Sequence, residues 1–169
     1  MHTLVLTALL FAPVLPQPIL TYSAPSGWQS RPAASSMRVA EFIVPRTSGD
    51  TEDADVVIFY FGGTGGSVEA NIERWVGQFQ QPPGASGKGE RASFNVGNLK
   101  VTTVDVAGTY VAETRPGSGT RLNKPGFRMR AAVVETPRGP YFIKLTGPAA
   151  TVGKTLPAFQ TFLDSLKFQ

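Results

Sequence analysis

FRMRAAVVE (residues 127–135), TPRGP (136–140) and YFIKLT (141–146) decide the fold. Two runs of β character flank a short turn-forming segment with two prolines and a glycine, the pattern of a β-hairpin. Upstream, residues 91–96 turn at Gly97-Asn98 into residues 99–106, and Gly108-Thr109-Tyr110 continues that strand. Strands joined by hairpins make a mainly antiparallel sheet. Downstream, Phe159, Phe162, Leu163 and Leu166 form the apolar stripe of a closing helix over residues 154–166. Pro157 is tolerated only in a first turn, so this helix is expected to start near Thr155.

Nearer the N-terminus, residues 19–23 read as a short strand, followed by the turn Ala24-Pro25-Ser26-Gly27 and Trp28. Residues 37–44 (MRVAEFIV) alternate and stop at Pro45, as a strand facing one core should. Residues 56–61 (VVIFYF) are continuously apolar, which predicts a central strand covered on both faces. A glycine loop then leads into a helix over residues 68–80. Ser67 is its natural N-cap, Glu69 suits its dipole, and Val68, Ile72, Trp75, Val76 and Phe79 make its stripe. Pro82-Pro83-Gly84 is expected to end it, with 81–89 a flexible connection and 116–125 a Gly/Pro-rich loop. The fold class is therefore α+β: one domain, mainly antiparallel, with two amphipathic helices that must bury their stripes against the sheet.

The chain has no cysteine, and its one histidine is His2. If the apolar leader is removed, the folded part has neither imidazole nor thiol. Ser-His-Asp and Cys-His catalysis and Cys/His zinc sites are then excluded. The apolar stretch in residues 1–18 is too short to span a bilayer but fits a signal-peptide core, although no Lys or Arg precedes it. The expected location is periplasmic or secreted, or cytoplasmic if the leader is not a signal. Residues 1–84 hold four basic and seven acidic side chains, whereas residues 85–169 hold twelve and five. The excess is dispersed, without a basic run, so no nucleic-acid signal stands out.

YSAPSGW (22–28), MRVAEFIVP (37–45), PRGPYFIKLTGP (137–148) and FQTFLDSLKF (159–168) together resemble the Mog1/PsbP-like superfamily, and within it uncharacterised bacterial envelope proteins. The resemblance spans about residues 19–169 and implies an antiparallel sheet between helices, an α/β/α sandwich. It also implies a binding or assembly protein rather than an enzyme, since members include a photosystem II extrinsic subunit, a nuclear transport factor and bacterial lipoproteins. The lipoprotein cysteine is missing here.

Gly63, Thr64, Gly65, Gly66 and Ser67 join an apolar strand to a helix N-terminus, where backbone N–H groups could hold a small anion. No lysine stands where a P-loop needs it, and a sharp turn explains the same glycines. Trp28, Arg115, Arg121, Lys124 and Arg128 are the candidate partner contacts, with packing the alternative for Trp28. The acidic stretch 50–55 lacks the spacing of a calcium loop and reads as solvated. Glu41, Asp105 and Glu135 stand on strands and, by alternation, should point to solvent, so nothing pairs them for glycoside hydrolysis. There is no S-x-x-K. No catalytic residue, metal or cofactor is assigned. The leading expectation is a non-catalytic binding or assembly module for an envelope component. A small-anion carrier and a carboxylate-dependent hydrolase are the alternatives.

Overall fold

The computed structural model describes residues 19–169. Its strands are β1 (Leu20–Thr21), β2 (Gln29–Arg31), β3 (Arg38–Val44), β4 (Ala54–Tyr60), β5 (Phe79–Gln80) and β6 (Glu90–Val96), followed by β7 (Leu99–Tyr110), β8 (Lys124–Glu135), β9 (Tyr141–Pro148) and β10 (Lys167–Phe168). Two helices, α1 (Val68–Val76) and α2 (Ala149–Asp164), complete it. The hairpin of residues 127–146 lies at the centre of the large sheet, with Val134 opposite Tyr141. Strand order is β2-β3-β4-β9-β8-β7-β5, with β6 also paired to β7, and every pairing is antiparallel. The leader at residues 1–18 lies outside the described residues.

Alternation along the central strands sends apolar side chains to both faces. On one face Val56, Ile58, Val101, Ala132, Ile143 and Leu145 meet Val152, Phe159, Phe162 and Leu163 of α2. On the other, Val104, Val106, Met129, Ala131, Val133 and Phe142 meet Ile72, Trp75 and Val76 of α1. A helix on each side gives the expected α/β/α layering. The nine-residue α1 covers its face only in part. In β4, Ala54, Val56 and Ile58 are fully buried, but Val57 and Phe59 are half-buried, so the strand is not covered equally on both faces as expected.

Both helices differ in extent from their expectation. The first stops at Gly77, whose N–H returns to Glu73 and Trp75 carbonyls, and not at the prolines. Phe79 therefore belongs to β5, opposite Tyr110, while the Gln78 carbonyl accepts from Val111. The second starts six residues before Thr155, at Ala149, and carries Pro157 in its interior. Pro148 at its N-cap offers no side chain, but Asp50 accepts from both the N–H and the hydroxyl of Thr151. That cap comes from about a hundred residues away in sequence and supplies the first turn. Pro157 removes a backbone donor, a loss of about 3 kcal/mol in an isolated helix. Burial of Phe159, Phe162 and Leu163 beyond it, each worth about 1.5–3 kcal/mol, outweighs that loss.

Alternation also misplaces two acids. Glu41 is 1% exposed and Asp105 7%, rather than facing solvent. With both faces of the sheet packed, a polar strand position has no guaranteed access to water. Each acid is buried against arginines.

Candidate functional site

Where α1 ends, the uncovered part of its sheet face forms a cleft of about 770 Å³. Phe59 and Phe61 reach it from β4 and its extension, Phe142 and Lys144 from β9, and Arg74 and Trp75 from α1. Val111, Ala112, Glu113, Pro116 and Arg121 of the following loop form the opposite wall, with Met37 and Arg38 at the rim. The aromatic surface is continuous. Phe59 stacks on Phe61 at 6.0 Å between ring centroids, Phe61 lies 5.5 Å from Phe142, and Trp75 meets Phe142 edge-on at 6.1 Å. Met37 is 53% exposed and extends the apolar surface outward.

The polar side chains of the cleft are mostly cationic. Lys144 projects from the centre of the sheet, and its Nζ donates to Gln78 Oε1 at 3.0 Å. No carboxylate lies within ion-pair distance of Lys144, Arg74 or Arg121 among the described residues. Arg74 donates to Asn71 Oδ1 instead, at 2.6 Å. Burial holds the Lys144 ammonium down at about 8, with repulsion from Arg74 and Arg38 adding to it. Arg38 is anchored to Glu41 Oε1 at 3.0 Å, with its guanidinium 5.5 Å over the Phe59 ring. Glu113, the one acid in the lining, accepts from the Gly117 N–H. A concave, aromatic-floored cavity with convergent unpaired cations suits an anion that has an apolar body.

Glu41 organises the rim. It accepts from Arg31 Nε at 2.9 Å, from Arg38, and from the Ala34 N–H at 2.7 Å. Burial alone would raise its carboxyl, but these donors reverse that and hold it below the ordinary range. On the opposite sheet face, Asp105 receives a bidentate pair from Arg128 at 2.7 and 2.9 Å, and Arg130 approaches to 3.7 Å. Glu135 faces Lys100 at 3.6 Å. The three strand acids thus have separate basic partners, on β2 and β3 for Glu41, β8 for Asp105 and β7 for Glu135, and do not come together.

The glycine loop turns inward. Gly63 and Gly66 have φ of 88° and 82°. A Cβ on Gly139 would lie 2.4 Å from Gly63 Cα, and one on Gly65 would lie 2.3 Å from the Phe142 ring. Asn71 Nδ2 donates to the Gly65 and Ser67 carbonyls, and Ser67 Oγ accepts from Ala70 N as expected of the N-cap. Close packing against the hairpin turn and Phe142 accounts for Gly63 and Gly65, and positive φ for Gly62 and Gly66. Thr64 donates its hydroxyl to the Phe61 carbonyl.

The other sequence candidates are scattered. Trp28 packs on Phe42, Phe159 and Phe162 beside α2. Lys124 pairs with Glu52 and covers Phe127, Arg128 serves Asp105, Arg115 is exposed, and only Arg121 reaches the cleft. In the acidic stretch, Asp50 caps α2, Asp53 accepts from Arg46 N, and Asp55 pairs with Arg31. These acids are taken up by separate partners. Sequence reasoning missed Lys144, Arg74, Gln78 and the phenylalanine floor. A lysine inside the apolar run YFIKLT of a central strand was the available clue.

No family model matches the chain, and no curated protein matches it. Solved structures resemble it in fold. LpqN of Mycobacterium tuberculosis, described as involved in cell envelope biogenesis, aligns with a TM-score of 0.53 at 12% identity, over 90% of this chain and 84% of its own. A protein of unknown function from Pseudomonas aeruginosa, PA94, aligns at 0.52 and 16% identity, over 88% and 96%. At these identities the likeness is one of fold. No helix among the described residues is long and apolar enough to cross a membrane.

Proposed function

We propose that this chain is a non-catalytic binding module of the cell envelope, and that the cleft takes an anionic ligand or partner group with an apolar body. One observation carries the reading: Lys144, Arg74 and Arg121 line the same cleft, none with a carboxylate within ion-pair distance among the described residues, alongside Phe59, Phe61 and Phe142. Unpaired cations in a concave apolar site raise the local concentration of anions and lose little when one replaces water. The envelope assignment draws on the fold shared with LpqN, on the apolar stretch at residues 1–18, and on the Mog1/PsbP-like resemblance. The small-anion reading thereby moves from the glycine loop to the cleft, because the loop's glycines are explained by close packing and by the positive φ of its turn.

The test is thermal stabilisation. A ligand that binds only the native state stabilises by about 2.7 kcal/mol at a hundred times its Kd. Aromatic and long-chain carboxylates should raise the melting temperature saturably, while the matching neutral alcohols should not. The response should fall in Arg74→Gln. Equal response to acid and alcohol would reject the cationic site.

A further inference from the structure

Lys144 is the least ordinary group in the cleft. It is one of six lysines, yet it alone rises from the middle of the sheet into a cavity. Its amine is steadied by a neutral acceptor, Gln78 Oε1, and not by a carboxylate that would lock it as an ammonium. Phe142, two residues earlier on the same face of β9, is a floor group. The charged groups around it are Arg74 on α1, Arg38 on β3, and Arg121 and Glu113 on the loop wall.

The geometry points to Lys144 as a reversible covalent anchor, its Nζ condensing as a Schiff base with an aldehyde or ketone that also bears an anionic group and an apolar body. This rests on the cleft-binding reading. The neutral amine's lone pair attacks the carbonyl carbon, and the carbonyl oxygen takes up a proton to give a carbinolamine. Loss of that oxygen as water leaves the C=N bond, and hydrolysis reverses the sequence with no oxidant or reductant consumed. Arg74 and Arg121 supply charge for the ligand's anion, and the rings hold its body, so the carbonyl is delivered to the amine. Desolvation beside other cations is a known way to make a lysine nucleophilic. With its pKa lowered to about 8, much more of Lys144 is neutral at pH 7.5 than of an exposed lysine, which is almost wholly protonated there.

The probe is phenylpyruvate, which has a ketone, a carboxylate and a ring. The full chain is incubated with it at pH 7.5 and reduced with borohydride, which converts the imine to a stable secondary amine. Peptide mass mapping then locates the adduct. Lys144 should carry at least several times the mean labelling of Lys88, Lys100, Lys124, Lys154 and Lys167, since more of it is neutral. The α-amino group, with an ordinary pKa near 8, is the internal reference for a reactive amine outside the cleft. Phenyllactate, which lacks the ketone, should protect Lys144 and leave the α-amino labelling unchanged. Lys144→Arg, checked for a cooperative melt, should lose the cleft adduct while the α-amino labelling is unchanged. Labelling of Lys144 no greater than that of the other lysines, with phenyllactate still stabilising the protein, overturns the covalent anchor alone. Even labelling with no phenyllactate stabilisation overturns the cleft reading as well.

Discussion

Replacing Lys144 with methionine should make the protein more stable. The side chains are similar in length, and methionine adapts to irregular apolar surroundings. In the folded state the ammonium titrates at about 8 instead of 10.5. Each unit corresponds to about 1.4 kcal/mol, so the charged form is disfavoured by about 3 kcal/mol. Opening of the cleft to water and loss of the Gln78 hydrogen bond offset about 1 kcal/mol, leaving a gain of about 2 kcal/mol at pH 7. For a chain of this size that is about 4–8 °C in Tm. The sign with pH follows from the depressed value. Between about 8 and 10.5 the unfolded chain binds more protons at this site, so the penalty is fully present below 8 and fades as pH rises to 10.5. Urea unfolding of both proteins at pH 7 and pH 10.5 measures it. Tyr22 and Tyr110, both raised by burial, titrate in both proteins and cancel in the difference. A variant no more stable than the parent at pH 7, or a gain that does not shrink by pH 10.5, would refute the reasoning.

Three further expectations concern the frame around the cleft. Glu41→Gln should lose about 2–3 kcal/mol by chemical denaturation at pH 7: a buried pair broken on one side typically costs about 3–5, less here because Arg31 and Arg38 keep a third of their exposure. Because the Glu41 carboxyl is depressed, its contribution is present above the unfolded pKa near 4.3 and is lost as pH falls through the folded value, so parent and variant should converge in acid. Asp50→Ala should cost about 1–2 kcal/mol and reduce helical circular dichroism, since it uncaps α2; an unchanged melt would show the cap to be inert. Gly65→Ala should cost about 1–3 kcal/mol through collision with Phe142 and also weaken cleft binding in a ligand titration, whereas an effect on stability alone would separate the loop from the floor.

What the sequence disclosed was local. The hairpin at 127–146, the Gly97-Asn98 turn and the Ser67 cap are written in neighbouring residues, and the structure has them where expected. What it concealed depends on residues distant in the chain. The start of α2 is set by Asp50, and the place of Phe79 in a strand by pairing with Tyr110. The in-out rule failed for Glu41 and Asp105 because both faces of the sheet are packed, so alternation chooses between two interiors. The cleft was invisible for the same reason. Arg38, Arg74, Arg121 and Lys144 are spread over more than a hundred residues and meet only once β9 inserts between β4 and β8.

The pairing of β1 with β10 brings the two ends of the described chain side by side, with Ile19 and Gln169 exchanging backbone hydrogen bonds. Leu20 and Phe168 pack with the α2 layer, so Ile19 and Gln169 lie on the side of the sheet opposite the cleft. A tag, a fusion partner or an immobilising surface attached after Gln169, or directly before Ile19 in place of residues 1–18, would therefore leave the mouth of the cleft unobstructed. The same adjacency makes circular permutation feasible, with a short linker joining Gln169 to Ile19 and new ends opened at Gly117 in the exposed loop. Such a permutant would carry its attachment point on the wall of the cleft, and any reporter placed there would sit beside whatever enters.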